Sequence, residues 1–250
     1  MKNKFNLLFL FSTLVFAGSC TYVYYPNYPV IADVKEKSGG GQVTIGLSKA
    51  QVSGWYCLDS NFFLTGTLSG ALSWVEEHTT DSLNHKRPYK TFTASAGAGY
   101  NLNFGEKGHF QIVGGGGFSQ GHFFTSLFNP TDINVFDAID VDVQSVRFYV
   151  QPSIGFGGDH GGFYFIPRFT YENFIKVERS KNNTNNSNPL LKRSYVLFDP
   201  FVMGRIKNKV VNIDIYGGLS FPVNSSESTS GEEIIVTQPF TLGIGLSKTF

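Results

Sequence analysis

The sequence predicts an all-β fold, an up-and-down antiparallel transmembrane β-barrel of ten strands, and three observations carry that reading. The closing segment alternates strictly: Phe240, Leu242, Ile244, Leu246 and Phe250 fall on one face, and Thr241, Gly243, Gly245, Ser247 and Thr249 on the other. Side chains along a strand point to opposite faces with period two, so this segment separates an apolar medium from a small, polar interior. The same alternation recurs along most of the chain. The face opposite the apolar one carries Gly, Ser, Thr and Asn rather than the many Lys and Glu of a face turned to water, which suits a confined lumen.

In chain order, Lys2 and Lys4 precede an apolar run from Leu7 to Phe16 and the small residues Ala17, Gly18 and Ser19 before Cys20. Residues 1–19 read as a signal peptide, because the run falls short of the roughly 20 apolar residues of a spanning helix. Small residues before a cysteine form a lipobox-like site, with Ala17 where a Leu is usual, so Cys20 is the expected lipidation site; Ala17 and Ser19 also fit ordinary cleavage. Residues 20–40 hold Tyr22, Tyr24, Tyr25, Pro26, Tyr28 and Pro29, then Lys35, Glu36 and Lys37. They read as an extended periplasmic tether. The barrel is expected over residues 41–250.

Within it, Val43, Ile45 and Leu47 alternate with Gln42, Thr44, Gly46 and Ser48, and Phe92 to Phe104 alternate with Thr93 to Asn103. Val146 to Phe156 share a face opposite Arg147, Tyr149, Gln151 and Ser153. Phe163, Phe165, Phe169 and Tyr171 oppose Tyr164, Arg168, Thr170 and Glu172, and Ile213 and Ile215 oppose Asp214 and Tyr216. Short turns are expected at 58–61, 105–108, 158–161 and 207–209, where Gly, Asp and Asn gather. Long connections are expected at 77–89, 126–142, 179–192 and 223–233. Outer-membrane barrels keep short turns in the periplasm and long loops outside. Dividing residues 42–57 near Lys49 and Ala50 then gives ten strands with both termini periplasmic. A barrel this narrow has room for side chains and not for a wide aqueous pore.

The lumenal charges fall on neighbouring strands. A turn near Asp159 and His160 sets Arg147 opposite Glu172 as a buried ion pair. Arg168 is placed to meet Asp199, and Arg205 and Asp214 share the next hairpin. Such charges neutralise one another inside the wall, since an unpaired buried charge is costly. No catalytic constellation emerges. Ser119 and His122 are an odd number of residues apart and point to opposite faces of one strand, and Asp81, His85, Asp140 and Asp142 read as loop residues. Asp132, Asp137, Asp140 and Asp142 lack the regular spacing of a calcium loop. Gly114 to Gly117 lack the Lys and Ser or Thr of a phosphate loop and read as glycines that relieve curvature or admit a large lumenal side chain. The run from Asn182 to Asn188 is of low complexity. Cys57 reads as a small strand residue, no cofactor is implied, and two cysteines make no disulfide framework. Removing residues 1–19 takes two of the 20 Lys and Arg and none of the 19 Asp and Glu, moving the formal charge from +1 to −1. Nothing in that balance suggests a nucleic-acid partner.

Ala17 to Cys20, the Tyr and Pro stretch, and Lys-Glu-Lys followed by glycines and Gln-Val-Thr-Ile-Gly-Leu-Ser resemble the small outer-membrane β-barrel proteins of Bacteroidetes-type bacteria, often lipoprotein-like. That resemblance implies an outer-membrane location and the barrel, and carries no catalytic or binding motif. The expected function is a structural, adhesive or surface-binding role through the outer loops. The alternative is a narrow channel or solute-binding barrel built on Arg147, Arg168 and Glu172. A third reading, a soluble periplasmic barrel around an apolar ligand, requires the greasy face to point inward. Expected partners are outer-membrane lipid, an extracellular ligand, and the barrel-assembly machinery, for which Phe250 ends the recognition signal.

Overall fold

The computed structural model describes residues 26–34, 36–46, 49–76, 86–105, 107–128, 136–179, 194–223 and 240–250. Residues 1–19, Cys20, the first part of the tether, Asp81, His85, Asp132 and Asn182–Asn188 lie outside the described residues. The strands are β1 (Gly39–Gly46), β2 (Ala50–Cys57), β3 (Phe62–Glu76), β4 (Lys86–Phe104), β5 (Gly108–Phe128), β6 (Phe136–Gly158), β7 (Gly161–Arg179), β8 (Ser194–Ile206), β9 (Asn212–Leu219, resumed at Phe221–Pro222) and β10 (Phe240–Thr249). Each pairs antiparallel with the next, and β10 pairs with β1 from Gly40 against Thr249 to Gly46 against Gly243. The sheet is therefore a closed ten-stranded barrel with no free edge, the state in which every strand's backbone groups are satisfied within the wall.

The faces sort as the alternation requires. Ile45 is 67% exposed and Phe148 61% exposed on the outside, and Leu242, Ile244 and Leu246 are exposed on the same outer surface. Gln42, Thr44, Thr241 and Ser247 are buried inside. From Phe148 to Phe156 the outer face of β6 is apolar at every second residue over roughly 26 Å of strand, the order of the ~25 Å apolar band of a spanning barrel. Above it on the outer face, Lys90, His122, Asp142 and Glu178 stand in one cross-strand row. With the apolar face outward, the reading of a soluble barrel around an apolar ligand is set aside.

All four short turns, the start of β1 and the end of β10 lie at one end of the barrel; the β1–β2 turn and the longer connections lie at the other. The division near Lys49 is observed, with eight residues in each of β1 and β2. The connection expected over 126–142 is shorter, because β5 runs to Phe128 and β6 begins at Phe136, pairing Phe128 with Phe136. Aromatic and β-branched residues from Phe123 to Phe128 and from Phe136 to Val143 sustain the hairpin, so Asp137, Asp140 and Asp142 sit on a strand. The wall is consequently uneven: β4 to β7 have 19 to 23 residues each, whereas β1 and β2 have 8.

The largest departure from expectation concerns residues 26–34. They form no free tether but run without regular secondary structure through the barrel, where Tyr28 and Ile31 are at most 2% exposed. The chain then reverses at Glu36 and Lys37, the latter at φ 53°, and enters β1. A tract containing Tyr28, Val30, Ile31 and Ala32 has more apolar surface than a solvated linker favours, and the lumen is where it is removed from water.

Candidate functional site

The lumen and the segment threaded through it form the one extended constellation of buried polar groups among the described residues. The segment is held by long side chains from the wall reaching its backbone. Gln51, on β2, donates through Nε2 to the Tyr28 carbonyl at 2.8 Å and accepts from the Tyr28 amide through Oε1 at 2.9 Å. Gln151, on β6, donates to the Val30 carbonyl at 3.1 Å. Gln111, on β5, donates to the Ala32 carbonyl at 2.6 Å. A chain without helix or sheet of its own needs such partners for its buried backbone groups.

Around these bonds lie two apolar clusters. Tyr28 and Ile31 pack with Tyr164, Ile166, Phe201, Met203 and Tyr216; Val30 and Ala32 pack with Trp55, Cys57, Phe63 and Val113. The Tyr28 hydroxyl donates to the Leu242 carbonyl at 2.6 Å. The wall makes room for this ring with two glycines: a Cβ on Gly46 would lie 1.5 Å from the Tyr28 hydroxyl oxygen, and one on Gly243 would lie 2.6 Å from the ring. Gly97 and Gly115 likewise clear space for the lumenal Tyr149, as anticipated for the glycine run.

The charges expected in the lumen are brought together there. Arg147 Nε stands 3.1 Å from Glu172 Oε2, in the cross-strand register that the Asp159 turn implies, and Ser145 also donates to Glu172. Arg205 Nε meets Asp214 Oδ1 at 2.7 Å and Nη2 meets Oδ2 at 3.1 Å, a bidentate pair. Asp214 also accepts from Gln42 at 2.7 Å and from Ser247 at 2.8 Å. Arg168 differs from expectation. It stands in register with Asp199, but its guanidinium donates to Gln151 and to the Asn27 carbonyl and lies 5.4 Å from the Tyr149 ring centroid. Asp199 accepts from Thr170 at 3.1 Å and from Ser220. The carbonyl of the threaded segment offers Arg168 a partner that no strand alternation reveals.

Arg205 reaches that segment as well. Its Nη1 lies 2.8 Å from Asp33 Oδ1, and its Nη2 donates to the Ile31 carbonyl at 3.1 Å. At the other end, Lys49 Nζ and Ser69 Oγ both donate to Asn27 Oδ1 at 2.9 Å. Beside the segment, bounded by Arg147, Tyr149 and Arg168, remains a void of about 20 Å³, room for about one water. A wider cleft of about 380 Å³ opens at the short-turn end, lined by Asp33, His109, Lys207 and Lys248 among others.

The remaining candidates fall out as follows. Ser119 bonds Thr93 on the lumenal side, while His122 faces outward and pairs with Asp142 at 2.8 Å, so the two never meet. Among the described residues no group of three or more His, Cys, Asp or Glu could hold a metal ion. Cys57 is fully buried in the lumen. Phe250 is 78% exposed and its amide donates to the Gly39 carbonyl at 2.8 Å, closing the seam. Asn27, Tyr28, Asp33, Gln51, Gln111 and Gln151 were missed by sequence reasoning. The signal for Gln51, Gln111 and Gln151 was a long amide at a lumenal position, able to reach past the wall to a chain inside it; Asn27, Tyr28 and Asp33 carried no periodic signal.

No family model matches the chain, and no curated protein matches it. Among solved structures it is similar to the translocator domain of the autotransporter NalP from Neisseria meningitidis, at 10% identity and a TM-score of 0.49 over 85% of this chain and 86% of that one. It is also similar to OmpT, an outer membrane protein of Vibrio cholerae in trimer form, at 9% identity and a TM-score of 0.27 over 85% of this chain and 98% of that one. The functional reading rests on the barrel's own geometry.

Proposed function

We propose that this chain is an outer-membrane barrel closed by its own N-terminal segment, a membrane-held scaffold whose long connections face outward and serve a structural, adhesive or surface-binding role. The observation that carries the reading is the passage of Asn27 to Asp33 through the lumen, which leaves a void of about 20 Å³ at the level of Arg147 and Arg168. The apolar outer face and the paired lumenal charges support a spanning barrel that gains stability from a filled interior. Assembly by the barrel-insertion machinery, with Phe250 ending the signal, belongs to the same reading, as does acylation at Cys20.

A second reading is a channel opened by withdrawal of the segment. The row Arg147, Glu172 and Arg168 would then line a polar conduit joined to the 380 Å³ cleft. Planar-bilayer recording of the purified protein distinguishes the two. The full chain should be electrically silent and a chain lacking residues 21–34 should conduct. Steady conductance from the full chain would overturn the scaffold reading in favour of the channel.

A further inference from the structure

The threaded segment has a polarity, and that polarity says where the chain before it lies. Asp33 is bonded at the short-turn end, to Arg205, to Asn212 at 3.3 Å and to Thr249 at 3.4 Å. Asn27 is bonded at the opposite end, to Lys49 in the β1–β2 turn and to Ser69, which pairs with Gln51 near the start of β2. The six residue steps from Asn27 to Asp33 cover up to roughly 20 Å, most of the ~25 Å apolar band. The chain therefore descends through the barrel from the long-connection end to the short-turn end and turns up into β1.

From this we infer that the residues immediately upstream of Pro26 emerge at the long-connection end, so that the mature N-terminal arm is displayed on the cell surface and not in the periplasm. Two physical limits enforce it. To return to the short-turn end, the arm would need a second passage through the lumen, and at the level of Arg147 and Arg168 the void beside the segment, about 20 Å³, admits about one water and no second backbone. Nor can an irregular arm cross outside the wall, because its backbone groups would be unsatisfied in hydrocarbon.

The uneven rim offers the exit. Asn27 sits against the lowest part of the wall, where β1 and β2 are eight residues long beside β4 to β7 of 19 to 23. Cys20 precedes Pro26 by six positions, again a reach of roughly 20 Å, so an acyl group on Cys20 would enter the outer leaflet, opposite to the inner-leaflet anchor that a periplasmic tether implies.

This inference rests on the long connections facing outward, and the test separates the two. A short epitope is inserted after Tyr22, after Asp159 in the β6–β7 turn, or after Asn185, each in the full chain expressed in a bacterium with an outer membrane. Heat-modifiable mobility checks that each barrel forms. The expected result is antibody binding on intact cells for the insertions after Tyr22 and Asn185, equal to that on permeabilised cells, and none for Asp159. Binding at Asn185 without binding at Tyr22 overturns the surface arm and leaves the proposed function standing. Binding at Asp159 and not at Asn185 overturns the orientation on which both rest. The unmodified chain gives an independent reading: chymotrypsin added to intact cells should cut after Tyr22 or Tyr24, and cleavage only after permeabilisation would overturn the inference.

Discussion

Two buried guanidiniums divide the lumen into parts with different duties. Arg147 pairs with Glu172 across one hairpin, at 3.1 Å, where Ser145 donates to the same carboxylate. Arg205 pairs with Asp214 across another, at 2.7 Å, and extends the same guanidinium to Asp33 at 2.8 Å and to the Ile31 carbonyl. The first is a strut within the wall. The second is a latch, in which a wall carboxylate orients the cation that holds the segment. Burial and pairing alone do not make a latch; the contacts of Arg205 with Asp33 and the Ile31 carbonyl do.

Removing the carboxylates should break this comparison most sharply. Asp214→Ala leaves Arg205 buried with Asp33 as its remaining carboxylate and strips the bonds from Gln42 and Ser247. Loss of one partner from a buried pair costs about 3–5 kcal/mol. Glu172→Ala should cost a similar amount at Arg147. The two should separate in function: Asp214→Ala loosens the segment and produces channel openings in planar bilayers, whereas Glu172→Ala lowers the urea midpoint in detergent and stays silent. Equal conductance from both variants would erase the distinction between latch and strut.

A smaller effect is expected where the wall makes room for the segment. Gly46→Val places a side chain where the Tyr28 hydroxyl now lies. Overpacking of this kind costs roughly 1–3 kcal/mol, and here it falls on Tyr28, which is the movable partner. The barrel should keep its heat-modifiable band while Tyr28 is expelled, seen as conductance without loss of membrane insertion. Retained silence would mean that the wall gives way and the segment stays.

The same contrast explains what could be read from the sequence. The alternation from Phe240 to Phe250 was legible because the surrounding medium imposes period two on every strand, and the division at Lys49 followed from counting faces. Arg147 and Glu172 could be matched because a single short turn fixes the register of their hairpin. Arg168 was matched to its register neighbour Asp199, but its bonds go to Gln151 and Asn27. The threaded segment follows no period, and its partners Gln51, Gln111 and Gln151 lie 23, 79 and 121 residues from the atoms they bond. Its aromatic and proline content fitted a tether equally well until the glycines facing Tyr28 were seen in place. Cross-strand pairs are local consequences of a turn; a plug is a consequence of the closed barrel.

A turn outside the lumen supplies the control for these effects. Asp59, between β2 and β3, accepts from the backbone amides of Asn61 and Phe62 at 2.7 Å each. Those amide donors hold its carboxyl below the usual value of 3.8. A carboxylate whose pKa is lowered on folding favours the folded state above its unfolded value, and that contribution is lost as pH falls from about 3.8 through the folded value. Asp59→Asn should therefore lower the urea midpoint slightly at neutral pH, with the gap to the unaltered chain closing as pH is taken below 3.8. Because Asp59 touches neither Arg205 nor the threaded segment, this variant should remain silent in bilayers. Openings from it would mean that destabilising any part of the barrel frees the segment, and the latch at Arg205 would lose its special standing.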